Sequence, residues 1–397
     1  MRRATRRSVV QGAAVLVLLS VVVATAVRVA AAADVWPWSG VQGDAVQLLI
    51  IGDVQVQRRA DPTTAFAHVR DTLRAADLIY ANLEGMLVPS KGPVGDVPDK
   101  KWIHPGPDGV KALKDINLAA VGVANNVVWD EQNLLATMRL LDVNGIGHTG
   151  GGRNLDDAHA PVVIERKGVK FGFLQYTARW YRQSVQMATA TKPGVARIMS
   201  VDGLTIDAGD LARLKEDVKK LRPLVDVVVV SHHNRDGATP VQFGDEQAVE
   251  RAAGAVPADR TKAEEYQKVF AHAALDSGAD LVYGHGTHTI QGTEIYQGKP
   301  ILYAVGHSAF DQPGYEHAKD GLVVRVLVRQ KRISRVSFVP VTRDATNTMM
   351  MVSPASGEGA RLAEIVRRNS PGVSLAVEGQ EVVLLGQARV TSARPPR

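Results

Sequence analysis

Five apolar runs, each ending in a polar residue of ligand type, constrain this chain more than any other feature of its sequence. Residues 46–51 run into Gly52-Asp53 and residues 78–81 into Asn82-Leu83-Glu84. Residues 118–123 run into Ala124-Asn125-Asn126, and residues 225–230 into Ser231-His232-His233. Residues 281–283 run into Gly284, His285 and, three further on, His288. Runs this uninterrupted belong to strands buried on both faces. Helical patterns separate them, so the chain is expected to be an α/β protein. In such sheets, ligand sites form at the carboxyl ends of the strands. A single strand-end Asn or Asp is an ordinary cap or turn former. Five strands ending this way put Asp53, Glu84, Asn126, His232, His285 and His288 at one edge, with Asn82 and Asn125 lining it.

The helical periods are clear. Pro62 opens a helix with Phe66, Val69 and Leu73 on one face. A helix from Glu131 carries Leu134, Leu135, Met138 and Leu141, and Gly145 can close it. Leu211, Leu214, Val218 and Leu221 mark another, and 263–276 a further one. Hairpins are expected at 162–176, turning at Lys167-Gly168, and at 321–328 with 333–339. The tail shows one amphipathic helix near 360–368 and one strand near 382–385. Two polar stretches, 89–107 and 234–262, read as loops beside the strand ends.

The histidines carry the chemistry. His285 and His288 follow a strand end, with a glycine on either side of His285 that lets the backbone turn and approach an ion closely. A strand pair follows at 293–296 and 300–305, joined by a turn at Gln297-Gly298-Lys299, and it ends in His307. The chain has no cysteine, so neither a disulfide framework nor a thiolate metal site is possible. Carboxylates, amides and imidazoles without thiolates suit Mn, Mg, Fe or Zn. A carboxylate bridging two such divalent ions would let them clamp both oxygens of an in-line displacement.

The N-terminus reads as an export signal rather than as part of the fold. Arg2, Arg3, Arg6 and Arg7 make a basic region before an apolar run at 13–27, and Ala31-Ala32-Ala33 is a small-residue cleavage site. Residues 5–10, Thr-Arg-Arg-Ser-Val-Val, resemble a twin-arginine signal. The alternative is an anchor that holds the protein at the membrane through residues 13–33. The body is therefore expected outside the cytoplasm: periplasmic, in the cell envelope or extracellular. Of the 397 residues, 1–33 hold five arginines and no acid, so cleavage takes the formal charge from +6 to +1. The basic balance is thus no argument for nucleic-acid binding. The organisation expected is a signal or anchor at 1–33, a linker at 34–45, one domain at 46–345, and a C-terminal helix and strand at 346–397 packing on it.

The ordered motifs GD, ADLIYANLE, GVANN, VVVVSHH, SGADLVYGHGTH and GKPILYAVGHSAFD resemble the CapA-type family of poly-gamma-glutamate capsule synthesis. That family belongs to the calcineurin-like metallophosphatase superfamily. The resemblance covers about 46–341. It implies a four-layer α/β/β/α sandwich of the metallophosphatase type with a two-metal site at one edge. It assigns Asp53, Glu84, Asn126, His232, His285 and His288 to metal-binding positions.

Three positions depart from the family pattern. Val127 stands where the family has a histidine, a candidate general acid. His232-His233-Asn234 replaces the usual His-Trp-Gly, and Gly306-His307-Ser308 the usual Gly-Asn-Phe. Either His233 and His307 take over the acid role, or the site keeps metal and has lost hydrolysis. The resemblance implies an exported metal-binding protein of capsule or poly-gamma-glutamate synthesis, export or attachment, working with membrane-bound polymer machinery on an acidic polymer or phosphoester. The alternatives are a cell-envelope phosphoester hydrolase and a non-enzymatic scaffold with a degenerate metal site.

Overall fold

A computed structural model describes residues 36–38, 43–57, 59–88, 91–92, 95–96, 106–128, 130–178, 187–198, 205–234, 261–311 and 318–387. The expected signal at 1–33, most of the 89–107 loop and residues 235–260 lie outside the described residues.

Two sheets pack face to face. The larger is built on β1 (Val46–Gln55), which pairs in parallel with β2 (Leu78–Leu83). The parallel series continues through β3 (Ala120–Gly122) to β4 (Gly147–Thr149). On the other side of β1 it turns antiparallel. The smaller sheet is built from the hairpin β5 (Val162–Arg166) and β6 (Val169–Thr177), then β7 (Val227–His233) and β8 (Leu281–His285) in parallel. The pair β9 (Thr293–Tyr296) and β10 (Lys299–Leu302) completes its six strands.

The chain then changes sheet. β11 (His307–Phe310) leaves the six-stranded sheet and pairs in parallel with β1, placing His307 opposite Asp53. The sequence alone suggests that His307 ends a strand of the same sheet as His285; the structure corrects this, because 303–306 is the crossover. The antiparallel flank of the ten-stranded sheet follows: β12 (Gly321–Arg329) on β1, β13 (Arg332–Arg343) on β12, and β14 (Met349–Met351) on β13. The hairpin β15 (Val373–Glu378) and β16 (Glu381–Gln387) extends it from β13. The tail of 346–397 thus contributes three strands, β14, β15 and β16, where its sequence suggested one.

Side-chain alternation explains the layers, since successive strand residues face opposite sides. Leu48, Ile50, Tyr80, Phe171, Phe173, Val227, Val229, Leu281 and Tyr283 fill the space between the sheets. Their neighbours Leu49, Ile51, Ile79 and Val121 face an outer layer with Phe66, Leu73, Leu113 and Leu134. Leu174, Val228, Val230 and Val282 face the opposite outer layer with Leu214, Val218, Phe270 and Ala274. The first outer layer includes α1 (Arg70–Arg74), α2 (Gly109–Asp115) and α3 (Glu131–Val143). The second holds α5 (Ala208–Leu221) and α6 (Glu265–Asp276), following the single-turn α4 (Leu155–Ala158). The architecture is the expected four-layer α/β/β/α sandwich. α7 (Gly357–Arg368) adds Leu362, Ala363 and Val366 to the inter-sheet core.

The helices start where their caps dictate. Asp130 caps α3 by accepting from the backbone N–H of Gln132 and Asn133, and Asp207 caps α5 in the same way. Glu264 and Gln267 form a capping box at α6. The helix expected from Pro62 is instead a 3-10 turn, Pro62–Phe66, followed by the short α1. Its apolar face is kept, with Phe66, Val69 and Leu73 buried.

Candidate metal centre

Between the sheets, the apolar stripes turn polar at the carboxyl ends of the strands. Phe171 and Phe173 give way to Gln175, Tyr80 to Asn82, Val229 to Ser231 and His233, and Tyr283 to His285, all buried. β1 reaches the same result by a bulge. Ile51 pairs with Ala81 but Asp53 pairs with Asn82, so Gly52 is an extra residue. Without it Asp53 would share the outward phase of Leu49 and Ile51; the bulge re-aims its side chain inward. A side chain at Gly52 would collide with the carbonyl of Gly306, 2.0 Å from where a Cβ would stand.

Asp53 is the centre of the cluster and fully buried. Its Oδ1 accepts from Asn82 Nδ2 at 2.8 Å and lies 3.3 Å from His285 Nδ1. Its Oδ2 accepts from the Gly286 N–H at 3.2 Å and lies 3.8 Å from His307 Nε2. Burial pushes its carboxyl pKa up, but the hydrogen bond and charge of His285, with His307 and His233, outweigh this and hold it far below the usual range. Asp53 is therefore a carboxylate.

Two imidazole pairs flank it. His233 Nδ1 lies 3.0 Å from His285 Nδ1, and His233 Nε2 lies 2.6 Å from Asn126 Oδ1. His288 Nδ1 lies 2.8 Å from His307 Nε2. His307 Nδ1 donates to the Ala318 carbonyl at 2.9 Å, which orients the ring so that its Nε2 faces Asp53 and His288. The His307 ring stacks on Phe310, with centroids 3.9 Å apart. His288 adopts a left-handed backbone, φ 57°, a conformation that costs a non-glycine residue energy and collects at functional sites. Asp53, His233 and His285 form one group able to hold an ion, and Asp53, His288 and His307 a second.

The structure thus brings together Asp53, Asn126, His233, His285, His288 and His307. His232 goes elsewhere. It shares the phase of Val228 and Val230, and its ring stacks on Phe270 of α6 with centroids 4.3 Å apart. Burial and then the nearby His285 push its pKa down to about 3; the Asn234 side chain pulls the other way without making a hydrogen bond of normal geometry. His233 occupies the inward position that the sequence alone assigns to His232. Glu84 is fully buried just past β2, its N–H bonded to the Val54 carbonyl, and belongs to neither ion-holding group. Asn125 anchors the β3 end by donating to the Leu83 carbonyl at 2.8 Å. Val127 is buried, and its N–H donates to Asn125 Oδ1. Gln175 is the site neighbour that sequence reasoning missed; only its place at the end of β6, in phase with Phe171 and Phe173, could have marked it.

A four-layer sandwich with a buried Asp/His centre at its strand ends defines an α/β/β/α protein with a candidate ion site. More particularly, the chain belongs to the family described as bacterial capsule synthesis protein PGA_cap, which it matches over residues 40–312. It is similar to the capsule biosynthesis protein CapA of Bacillus anthracis, 24% identical over 339 residues, covering 83% of this chain and 75% of the relative. The PGA biosynthesis protein CapA of Bacillus subtilis (strain 168) is 24% identical over 311 residues, covering 75% and 72%. A probable polyglutamine synthesis accessory protein of Mycobacterium tuberculosis is 29% identical over 247 residues, covering 60% and 57%. Among solved structures, a hypothetical protein from Thermus thermophilus aligns at TM-score 0.43 and 15% identity, covering 74% of this chain and 98% of its own. A novel phosphatase from Mycoplasma pneumoniae aligns at TM-score 0.41 and 14% identity, covering 76% and 96%. At these scores the likeness is partial, and the architecture rests on the two sheets themselves.

Proposed function

We propose that this protein is an exported member of the capsule synthesis family that holds two divalent ions, of the Mn, Mg, Fe or Zn class, around Asp53. In this reading it acts in the synthesis, export or attachment of an acidic extracellular polymer, poly-gamma-glutamate or a capsule, beside membrane-bound synthesis machinery. The observation that carries it is one buried carboxylate shared by two imidazole pairs. The residues fit such ions. Asp53 presents one oxygen to each side, His307 has its Nδ1–H committed to a backbone carbonyl, and His285 Nε2 has no hydrogen-bond partner among the described residues. Bound there, the ions would supply positive charge to both oxygens of an in-line displacement. The chain's own groups hold the carboxylate through Asn82 and the Gly286 N–H, and orient His233 through Asn126. The names of the relatives support the pathway.

A second reading is a non-enzymatic scaffold, favoured by Val127. A side chain that cannot titrate cannot protonate a leaving group, and loss of a general acid typically costs about 10²–10⁴ in rate. The test is elemental analysis of the purified chain with turnover of a chromogenic phosphodiester. Two ions with turnover support hydrolysis; two ions without it support the scaffold. A chain that binds neither Mn²⁺ nor Zn²⁺ overturns the metal reading. For export, Arg6→Lys with Arg7→Lys should leave precursor in the cytoplasm; normal export of that variant overturns the twin-arginine assignment. Among the described residues no helix is long and apolar enough to cross a membrane.

A further inference from the structure

We infer that Gln175 is a positioning residue for Asp53, acting through Asn82 across the gap between the two sheets. Gln175 stands on β6 of the six-stranded sheet, whereas Asn82 and Asp53 belong to the ten-stranded one. Its Nε2 donates to Asn82 Oδ1 at 2.9 Å and to the Ala124 carbonyl at 3.2 Å. Its Oε1 accepts from Ser231 Oγ at 3.1 Å and from Tyr80 Oη at 3.4 Å. Asn82 Nδ2 then donates to Asp53 Oδ1 at 2.8 Å. All five side chains are buried.

The direction of this chain of hydrogen bonds is fixed. The Ala124 carbonyl can only accept, so the amide nitrogen of Gln175 must face it and Asn82. That leaves Asn82 Oδ1 towards Gln175 and its amide N–H₂ towards Asp53. If Asn82 turned over, its carbonyl oxygen would face the Asp53 carboxylate, two acceptors with no proton between them. Gln175, with Asn125 Nδ2 at 3.4 Å from the same oxygen, therefore holds the far end of Asn82 and steadies the N–H₂ that meets the carboxylate. Ordinary packing has no such polarity. The fold also makes room for this amide: at Gly122 a Cβ would stand 1.6 Å from Gln175 Oε1. Groups that orient a ligand through a hydrogen bond commonly change metal affinity about 10–100-fold when removed.

The consequence for metal rests on the proposed metal centre. Gln175→Met keeps length and removes both hydrogen-bonding ends; Gln175→Glu keeps the acceptors and removes the donor. Each is expected to weaken binding of Mn²⁺ alone and of Zn²⁺ alone by about tenfold or more, measured against a chelator on the full chain. Combined with Asn82→Ala, Gln175→Met should weaken binding no further than Asn82→Ala does by itself. Native affinity in a folded Gln175→Met or Gln175→Glu variant, or fully additive losses with Asn82→Ala, would overturn the inference. If the unmutated chain binds neither ion, the metal reading fails separately. The relay is then read from melting of the metal-free single and double variants: non-additive losses are expected, and additive ones overturn it.

Discussion

His288 and His307 approach to 2.8 Å between Nδ1 and Nε2, although they come from different sheets. His288 stands in the loop after β8 of the six-stranded sheet, and His307 opens β11 beside Asp53 in the ten-stranded one. His233 and His285, by contrast, are register partners on neighbouring strands of one sheet. The centre therefore has two poles of different origin joined by one carboxylate. If the centre holds two ions as proposed, Asp53→Ala should remove both, whereas His307→Asn or His285→Ala should each remove one. Elemental analysis after loading distinguishes these outcomes, and full occupancy in Asp53→Ala would show that the carboxylate is not shared.

Gly286 is required twice over. Its φ is +85°, and a Cβ there would stand 2.8 Å from the His233 ring and from the Asn234 carbonyl. Gly286→Ala is expected to lower stability by at least about 1 kcal/mol from the backbone conformation alone. It should also displace His233, so metal affinity should fall in the same variant. Urea unfolding and metal titration check the two effects; an unchanged midpoint would show that the loop adapts freely.

A buried ion pair lies away from the centre. Arg325 Nη1 meets Glu381 Oε1 at 2.8 Å with both side chains fully buried, tying β12 to the C-terminal hairpin. Arg325 Nε also donates to Gln47, and its guanidinium lies over the Trp38 ring. Arg325→Met leaves the buried Glu381 carboxylate only the more distant Arg335, 3.9 Å away, and should cost up to about 3–5 kcal/mol. Adding Glu381→Gln removes that charge and should restore half or more of the loss. Denaturant unfolding of the three variants provides the comparison.

Asp344 gives an acid-limb prediction. Partial burial pushes its pKa up, but the hydrogen bond to His68 and those from the Thr346 and Thr348 backbone prevail and hold it below the usual value. A folded-state pKa below the unfolded one contributes stability above the unfolded value, about 3.9. That contribution is lost as pH falls through the folded value. Asp344→Asn should therefore melt lower than the parent at pH 6, with the difference shrinking below about pH 4. A difference independent of pH would assign the effect to geometry rather than charge.

Much of this was legible along the chain. The uninterrupted valine and leucine runs announced doubly covered strands, and the strand-end polar residues announced one polar edge. Which side chains enter that edge was less legible. In Val227–His233 four valines precede the polar residues, and a run buried on both faces carries no phase, so His232 and His233 look equivalent. The structure separates them by one residue of pleat, sending His232 to Phe270 and His233 to Asn126 and His285.

The sequence by itself determined that the chain alternates strands with helices, lacks thiolate ligands and concentrates Asp, Asn and His at strand ends, because these follow from local residue type and period. Tertiary structure alone decided three things. The Gly52 bulge turned Asp53 inward, the crossover at 303–306 carried His307 to the other sheet, and the packing of the two sheets placed Gln175 against Asn82. Each depends on register between segments distant in the chain, and register is set by backbone pairing and close packing rather than by the identity of any one residue.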